Sequence, residues 1–141
     1  MLKRKIKQIL IGVAAVVFLI PTSAFATDGT VNPLGAGEWD TILISDYTVY
    51  DHPSVTKTRT VLSGGGNVRV CMSGVNSGNK ITVELRSDDT LDRTVAYLNF
   101  TGNYCSSSIN VNSYKDGDYA ELYLNMQGQQ SADTVTVRID D

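Results

Sequence analysis

From Trp39 onward the chain repeats one scheme: short runs in which apolar and polar residues alternate, each closed by a cluster of Gly, Asn, Asp and Ser. "KITVELRS" sorts Ile81, Val83 and Leu85 from Thr82, Glu84 and Arg86, and "YAELYLNM" sorts Ala120, Leu122, Leu124 and Met126 from Tyr119, Glu121, Tyr123 and Asn125. A period of two is the side-chain period of an extended strand. Runs rich in β-branched and aromatic residues predict further strands at "WDTILISDYTVY", "VTKTRTVL", "NVRVCMS", "RTVAYLNF", "YCSSSINV" and "DTVTVRID". Between them "SGGG", "GVNSGN", "SDDTLD", "TGN", "SYKDGD" and "QGQQSA" carry residues that favour turns. No stretch after residue 27 has a helical period. The expected fold is all-β, an antiparallel β-sandwich, jelly-roll or immunoglobulin-like, of about 7–8 short strands.

The opening segment departs from this pattern. Lys3, Arg4, Lys5 and Lys7 precede an apolar run from Ile9 to Ile20, followed by Pro21 and an A-x-A site at Ala24-Phe25-Ala26. A basic head, an apolar middle and a small-residue exit make the order of a secretory signal peptide. As a helix the apolar run reaches about 18 Å, short of a hydrocarbon core of roughly 30 Å. Cleavage is expected after Ala26. Residues 1–26 are then a signal peptide, residues 27–37 ("TDGTVNPLGAG") a flexible lead-in, and residues 38–141 a single sandwich domain. No cysteine follows the cleavage site to take a lipid, and "VTVRIDD" is neither an apolar tail nor a basic stop. The expected product is secreted and extracellular, with no membrane contact after signal removal.

Export changes the charge balance. Four of the 12 basic residues leave with the signal, while all 15 acidic residues stay. An acidic domain without a Lys/Arg cluster lacks the cationic footprint that nucleic acid or an anionic membrane requires. Neither is expected as a partner.

Export also bears on Cys71 and Cys105, the 2 cysteines of the chain. Two cysteines in an oxidising compartment usually pair, and their spacing fits no CxxC pattern. His52, the only histidine, cannot complete a Cys/His zinc site. A Cys71–Cys105 disulfide is expected, an unpaired thiol or an intermolecular bond being the alternatives. Strands that alternate up and down bring both cysteines to the same end of the sandwich. Parity adds a condition, because Cys105 shares a face with Ile109 and Val111 whereas Cys71 alternates against Val68, Val70 and Met72. The bond then requires a bulge in "VRVCMS".

Strand parity also defines a candidate ligand face. Tyr97, Asn99, Tyr123, Asn125 and Gln127 are expected to point outward, with Glu84, Arg86 and Glu121 beside them. Rings stack on the C–H faces of sugars while amides and carboxylates bond hydroxyls; the same residues also serve as ordinary cross-strand pairs. A second candidate is acidic. Asp88, Asp89 and Asp92 in "SDDTLD", and Asp116 and Asp118 in "KDGD", are expected at one end of the sandwich, opposite the cysteines. Carboxylate oxygens suit Ca²⁺, although no EF-hand spacing is present and Asp also serves turns. No other cofactor is expected.

Catalysis finds little support in the residues. A Ser-His-Asp triad must use His52 in "YDHPSV", and no G-x-S-x-G elbow exists. Glu84 and Glu121 are a conceivable glycosidase pair, but such a pair needs one carboxyl with a raised pKa in a desolvated cleft. The expectation is a secreted, non-catalytic binding or interaction protein for an extracellular ligand or protein partner. The alternatives are a carbohydrate-binding module using the Tyr/Asn/Gln face, a self-assembling structural protein and a small hydrolase.

"GEWDTI", "GGGNVRVCMSG", the acidic "SDDTLD" turn, the second cysteine and "DGDYAELYLNM" together resemble small exported proteins of Gram-positive bacteria, most of which have no assigned function. "DGDYAELYLNMQGQQSADTVTVRI" is also similar to the last two strands of bacterial pre-peptidase C-terminal domains, β-sandwiches appended to secreted enzymes. Neither resemblance supplies catalytic residues.

Overall fold

The computed structural model describes residues 39–141 apart from Ser131, so the expected signal peptide and lead-in lie outside the described residues. The strands are β1 (Thr41–Val49), β2 (Thr56–Lys57), β3 (Val61–Ser63), β4 (Asn67–Ser73), β5 (Ile81–Ser87), β6 (Thr94–Phe100), β7 (Tyr104–Cys105), β8 (Ile109–Asn110), β9 (Lys115–Asp116), β10 (Tyr119–Gly128) and β11 (Asp133–Asp140). A 3₁₀ turn at Asn112–Tyr114 precedes β9. Alternation explains the long strands: β5 buries Ile81, Val83, Leu85 and Ser87, and β10 buries Ala120, Leu122, Leu124, Met126 and Gly128.

The strands form two sheets, β1-β11-β4-β7 with β8 also on β4, and β2-β10-β5-β6 with β3 and β9 also on β10. Leu122 of β10 pairs with both Val61 and Ser87, so β3 and β5 lie on opposite flanks of that strand. The chain passes between the sheets repeatedly, at β1 to β2, β3 to β4, β4 to β5, β6 to β7, β8 to β9 and β10 to β11. Its first strand pairs with its last, from Val49 opposite Asp133 to Thr41 opposite Asp140, with one register shift between Thr41 and Leu43. Asp40 and Asp141 close that ladder by exchanging backbone hydrogen bonds, each at 2.8 Å. Between the sheets lies one apolar layer that includes Val70, Val137 and Ile139 from the first and Val83, Leu122 and Leu124 from the second.

Two of the predicted strands are interrupted. "VTKTRTVL" divides into β2 and β3 at Thr58, whose backbone N–H donates to the Leu124 carbonyl while its hydroxyl accepts from the Leu124 N–H, both at 3.0 Å. "YCSSSINV" divides into β7 and β8 at its serines. Ser106 donates its N–H to the Val70 carbonyl (2.7 Å) and accepts the Val70 N–H on its hydroxyl (3.1 Å). Hydroxyls so placed compete with ladder bonds.

The division corrects the cysteine argument. Cys71 and Cys105 are bonded, and they stand directly opposite each other across β4 and β7. β4 carries no bulge, since its register against β11 runs unbroken from Arg69 to Ser73. The expected parity conflict assumed one continuous strand from Cys105 to Val111. With β7 and β8 separate, both cysteines project from the outer side of the first sheet. Closing a loop of 34 residues contributes about 4 kcal/mol in the chain-entropy account.

Gly74 ends β4 at φ +86°, and a Cβ there would lie 2.7 Å from the Thr134 carbonyl oxygen. Gly78, at φ +84°, has open space around the same position. Both substitutions incur the left-handed backbone penalty, roughly 1–2 kcal/mol. Gly74→Ala is expected to cost at least about 2 kcal/mol more than Gly78→Ala in urea unfolding, because it also forces two backbones apart. Equal losses would refute the close approach.

Candidate functional site

On the outer side of the second sheet, β10, β5 and β6 set three ranks across neighbouring strands. These are Tyr123–Arg86–Thr94, Asn125–Glu84–Tyr97 and Gln127–Thr82–Asn99. Seven of the eight sequence-predicted face residues thus lie in adjoining rows. Glu121, the eighth, stands further along β10, opposite Leu62 of β3.

Tyr123 requires a correction. It points outward as expected but is only 3% exposed, because the outer surface is built up over it. Lys57 Nζ lies 3.6 Å from its ring centroid, its hydroxyl donates to Asp92 Oδ1 at 2.6 Å, and Arg86 Nε donates to that hydroxyl at 3.0 Å. Asp92 belongs to the β5–β6 turn and adopts φ +46°, outside the region most side chains prefer. Arg86 holds that turn through Asp92 Oδ1 (3.1 Å) and the Asp92 carbonyl, and reaches Glu84 Oε1 at 2.7 Å. Tyr123 is therefore a rivet between turn and sheet, and the most exposed aromatic of this face is Tyr97, 71% exposed.

The network shifts its members in opposite directions. Glu84 lies below its ordinary pKa of 4.5, chiefly through the Thr94 hydroxyl and further through Arg86, against the opposing effect of burial. Asp92 is lowered by the Tyr123 hydroxyl and then by Arg86, and Arg86 is raised by its bond to Asp92. Burial, followed by the bond to Asp92, raises Tyr123. A general acid needs its carboxyl raised, so Glu84 is tuned away from that role.

The acidic turns are also engaged residue by residue. Asp88 accepts the Thr60 hydroxyl, Asp89 caps the Leu91 N–H and pairs with Arg93 at 2.7 Å, and Asp92 belongs to the Arg86 network. The β5–β6 turn does meet the 3₁₀ segment, where the Arg93 guanidinium lies 4.9 Å from the Tyr114 ring centroid. Asp116 and Asp118 sit exposed at the β9–β10 hairpin. Among the described residues, no three His, Cys, Asp or Glu side chains are placed to share a metal ion. The five aspartates of the two turns thus form no cluster of three among the described residues.

A second cluster, absent from the sequence-based expectations, occupies the outer side of the first sheet. Buried Asp140 pairs with Arg69 Nε at 2.9 Å and Arg138 Nε at 3.1 Å, and accepts the Thr41 hydroxyl at 2.9 Å. The Arg69 guanidinium stacks 4.5 Å from the Trp39 ring centroid. Arg138 Nη2 lies 3.4 Å from Cys71 Sγ and 3.9 Å from Cys105 Sγ. The disulfide floors a shallow depression of about 320 Å³ walled by Ile44, Met72, Tyr104, Thr136 and Arg138. Arg69-x-Cys71 and Arg138-x-Asp140 have the spacing of residues sharing a face. The pairing of β4 with β11, which joins the two pairs, is not written in either segment.

The profile of the family described as "YndA coiled coil domain" matches residues 43–139. The chain belongs to that family. In this member the matched region contains strands and a 3₁₀ turn and, among the described residues, no α-helix, so its fold is a β-sandwich and not a coiled coil. "Uncharacterized protein YndA" of Bacillus subtilis (strain 168) is 33% identical over 95 residues, covering 64% of this chain and 66% of that protein. The chain thus spans just under two thirds of that relative, in keeping with the resemblance to small Gram-positive proteins. Nothing in these matches extends the resemblance to pre-peptidase C-terminal domains. Among solved structures, a chain from "Bacillus endospore appendages form a novel family of disulfide-linked pili" is 11% identical with a TM-score of 0.43, covering 78% of this chain and 94% of that one. A chain of the cowpea mosaic virus top component is 9% identical with a TM-score of 0.39, covering 75% and 84%. Likenesses this distant carry no argument about function.

The Glu84 shift has a definite sign in stability. A carboxyl held below its unfolded value of 4.5 stabilises the fold fully above that pH and loses the contribution as pH falls through the lower folded value. Glu84→Gln should therefore flatten the acid limb of a melting-temperature profile below pH 4.5, relative to the unsubstituted protein. Parallel profiles would uncouple Glu84 from the fold.

Proposed function

We propose that this protein is an exported, non-catalytic binding protein whose outer face on the second sheet holds a glycan. The observation that carries the reading is Tyr97, 71% exposed, ranked beside Asn99, Thr82 and Gln127 on a surface whose neighbouring rows are fixed by the Arg86 network. A flat ring stacks on a sugar face while adjacent amides and a hydroxyl bond its hydroxyls, and a rigid backing lowers the ordering cost of binding. Two observations support the setting. The Cys71–Cys105 bond suits an oxidising compartment, as does the signal-like order of residues 1–26.

Exposed Ile44 on the edge strand β1 favours a second reading, in which copies of the chain assemble edge to edge. Sedimentation across a concentration series distinguishes that from a monomeric binder.

Co-pelleting with insoluble peptidoglycan, chitin and cellulose tests the first reading. Tyr97→Ala is expected to weaken retention by about 2 kcal/mol or more, while its stability changes by no more than about 1 kcal/mol through the lost cross-strand pair with Glu84. Tyr123→Ala should instead lower stability, because it removes the rivet of the β5–β6 turn. Undiminished retention of Tyr97→Ala would move the ligand off this face.

A further inference from the structure

We propose that the Cys71–Cys105 bond is an exchange site that captures an external thiol as a mixed disulfide on Cys105. The two sulfurs are unequal. Cys105 is exposed on a two-residue strand, whereas Cys71 is buried in the middle of β4. An incoming thiolate enters the depression and attacks Cys105 Sγ. The new S–S bond forms there as the bond to Cys71 breaks, and the electron pair stays on Cys71 Sγ as a thiolate. One disulfide replaces another, so no oxidant is consumed, and the ligand's thiol proton goes to solvent.

The leaving sulfur is the one the fold prepares. Exchange is faster when the departing thiol has a low pKa, and a neighbouring guanidinium lowers it. Arg138 Nη2 lies nearer to Cys71 Sγ (3.4 Å) than to Cys105 Sγ (3.9 Å). Asp140 Oδ2, 3.9 Å from Cys71 Sγ, opposes the thiolate, but that carboxylate is already paired with both Arg69 and Arg138. Asp46, on the same side of the sheet, is hydrogen-bonded by the Thr136 hydroxyl at 2.6 Å. Opening the bond leaves the segment docked, because Ser106 stays doubly hydrogen-bonded to Val70 and both sulfurs lie outside the apolar layer. Ile44 and Tyr104, both exposed, offer an apolar wall to whatever carries the thiol. This site is independent of the glycan face, which lies on the other sheet.

The test treats the folded full chain with excess reduced glutathione or, separately, with a short cysteine peptide flanked by leucines. Acid quenching, alkylation, intact mass and peptide mapping read the product. The expected product carries the probe on Cys105 and the alkyl group on Cys71, and faster capture of the peptide than of glutathione assigns the site to protein thiols. Arg138→Gln should slow adduct formation by about tenfold and Arg138→Lys restore part of the rate. Should Arg138→Gln fail to fold, the map of the unsubstituted protein and the rate of Arg138→Lys decide. An adduct on Cys71, a bond inert to thiol until the protein is denatured, or an unchanged rate in folded Arg138→Gln would overturn the proposal.

Discussion

Val70, Val137 and Ile139 meet the opposing sheet's Val83, Leu122 and Leu124 in a layer from which water is fully excluded. Each such side chain stabilises the fold by roughly 1.5–3 kcal/mol. The layer does more than hold the sheets together. Because strand side chains alternate with a period of two, fixing the inward set fixes the outward set, and a slip of one residue would invert both. The rows of Tyr97 and Asn99 on one sheet, and of Cys71 and Arg138 on the other, owe their positions to this buried contact.

The outer faces are then organised by charge. Arg86 ties the β5–β6 turn to the second sheet, and Asp140 joins three strands of the first through Arg69, Arg138 and Thr41. Exposed ion pairs taken singly contribute little. The Arg86 cluster matters because it fixes a turn outside the apolar layer, and the Asp140 cluster because it ties three core strands together on their outer side. Tyrosines finish the edge of β6: the Tyr104 hydroxyl donates to the Asn99 carbonyl and the Tyr114 hydroxyl to the Thr94 carbonyl. Occupied carbonyls make that edge a poorer template for a foreign strand.

Alternation made the strands and their faces legible, with "NVRVCMS" and "DTVTVRID" coinciding with β4 and β11 to the residue. Pairing order was not legible, since no local pattern says that β11 lies between β1 and β4. Parity also tells which way a side chain points but not what covers it. Tyr123 faces outward yet is enclosed by Lys57, Arg86 and Asp92, which come from three separate parts of the chain. The cysteine parity failed where Ser106 substitutes its hydroxyl for a ladder partner, a competition that a run of three serines hints at. The aspartates of "SDDTLD" are engaged one by one by a hydroxyl, a backbone N–H and arginines, partners that sequence spacing does not reveal.

The loop closed by Cys71 and Cys105 encloses β5 and β6, strands of the sheet that neither cysteine belongs to. Its most exposed large apolar side chain, Leu91, sits in the β5–β6 turn, the kind of site at which a protease cuts. A cut there yields two pieces, one carrying β1 to β5 and the other β6 to β11, still joined through sulfur. Each sheet is woven from both pieces, since β1 and β4 rest on β11 while β2, β3 and β5 rest on β10. Beyond the short β9–β10 hairpin neither fragment keeps a sheet of its own, so a nicked molecule persists as one particle or is lost as a whole.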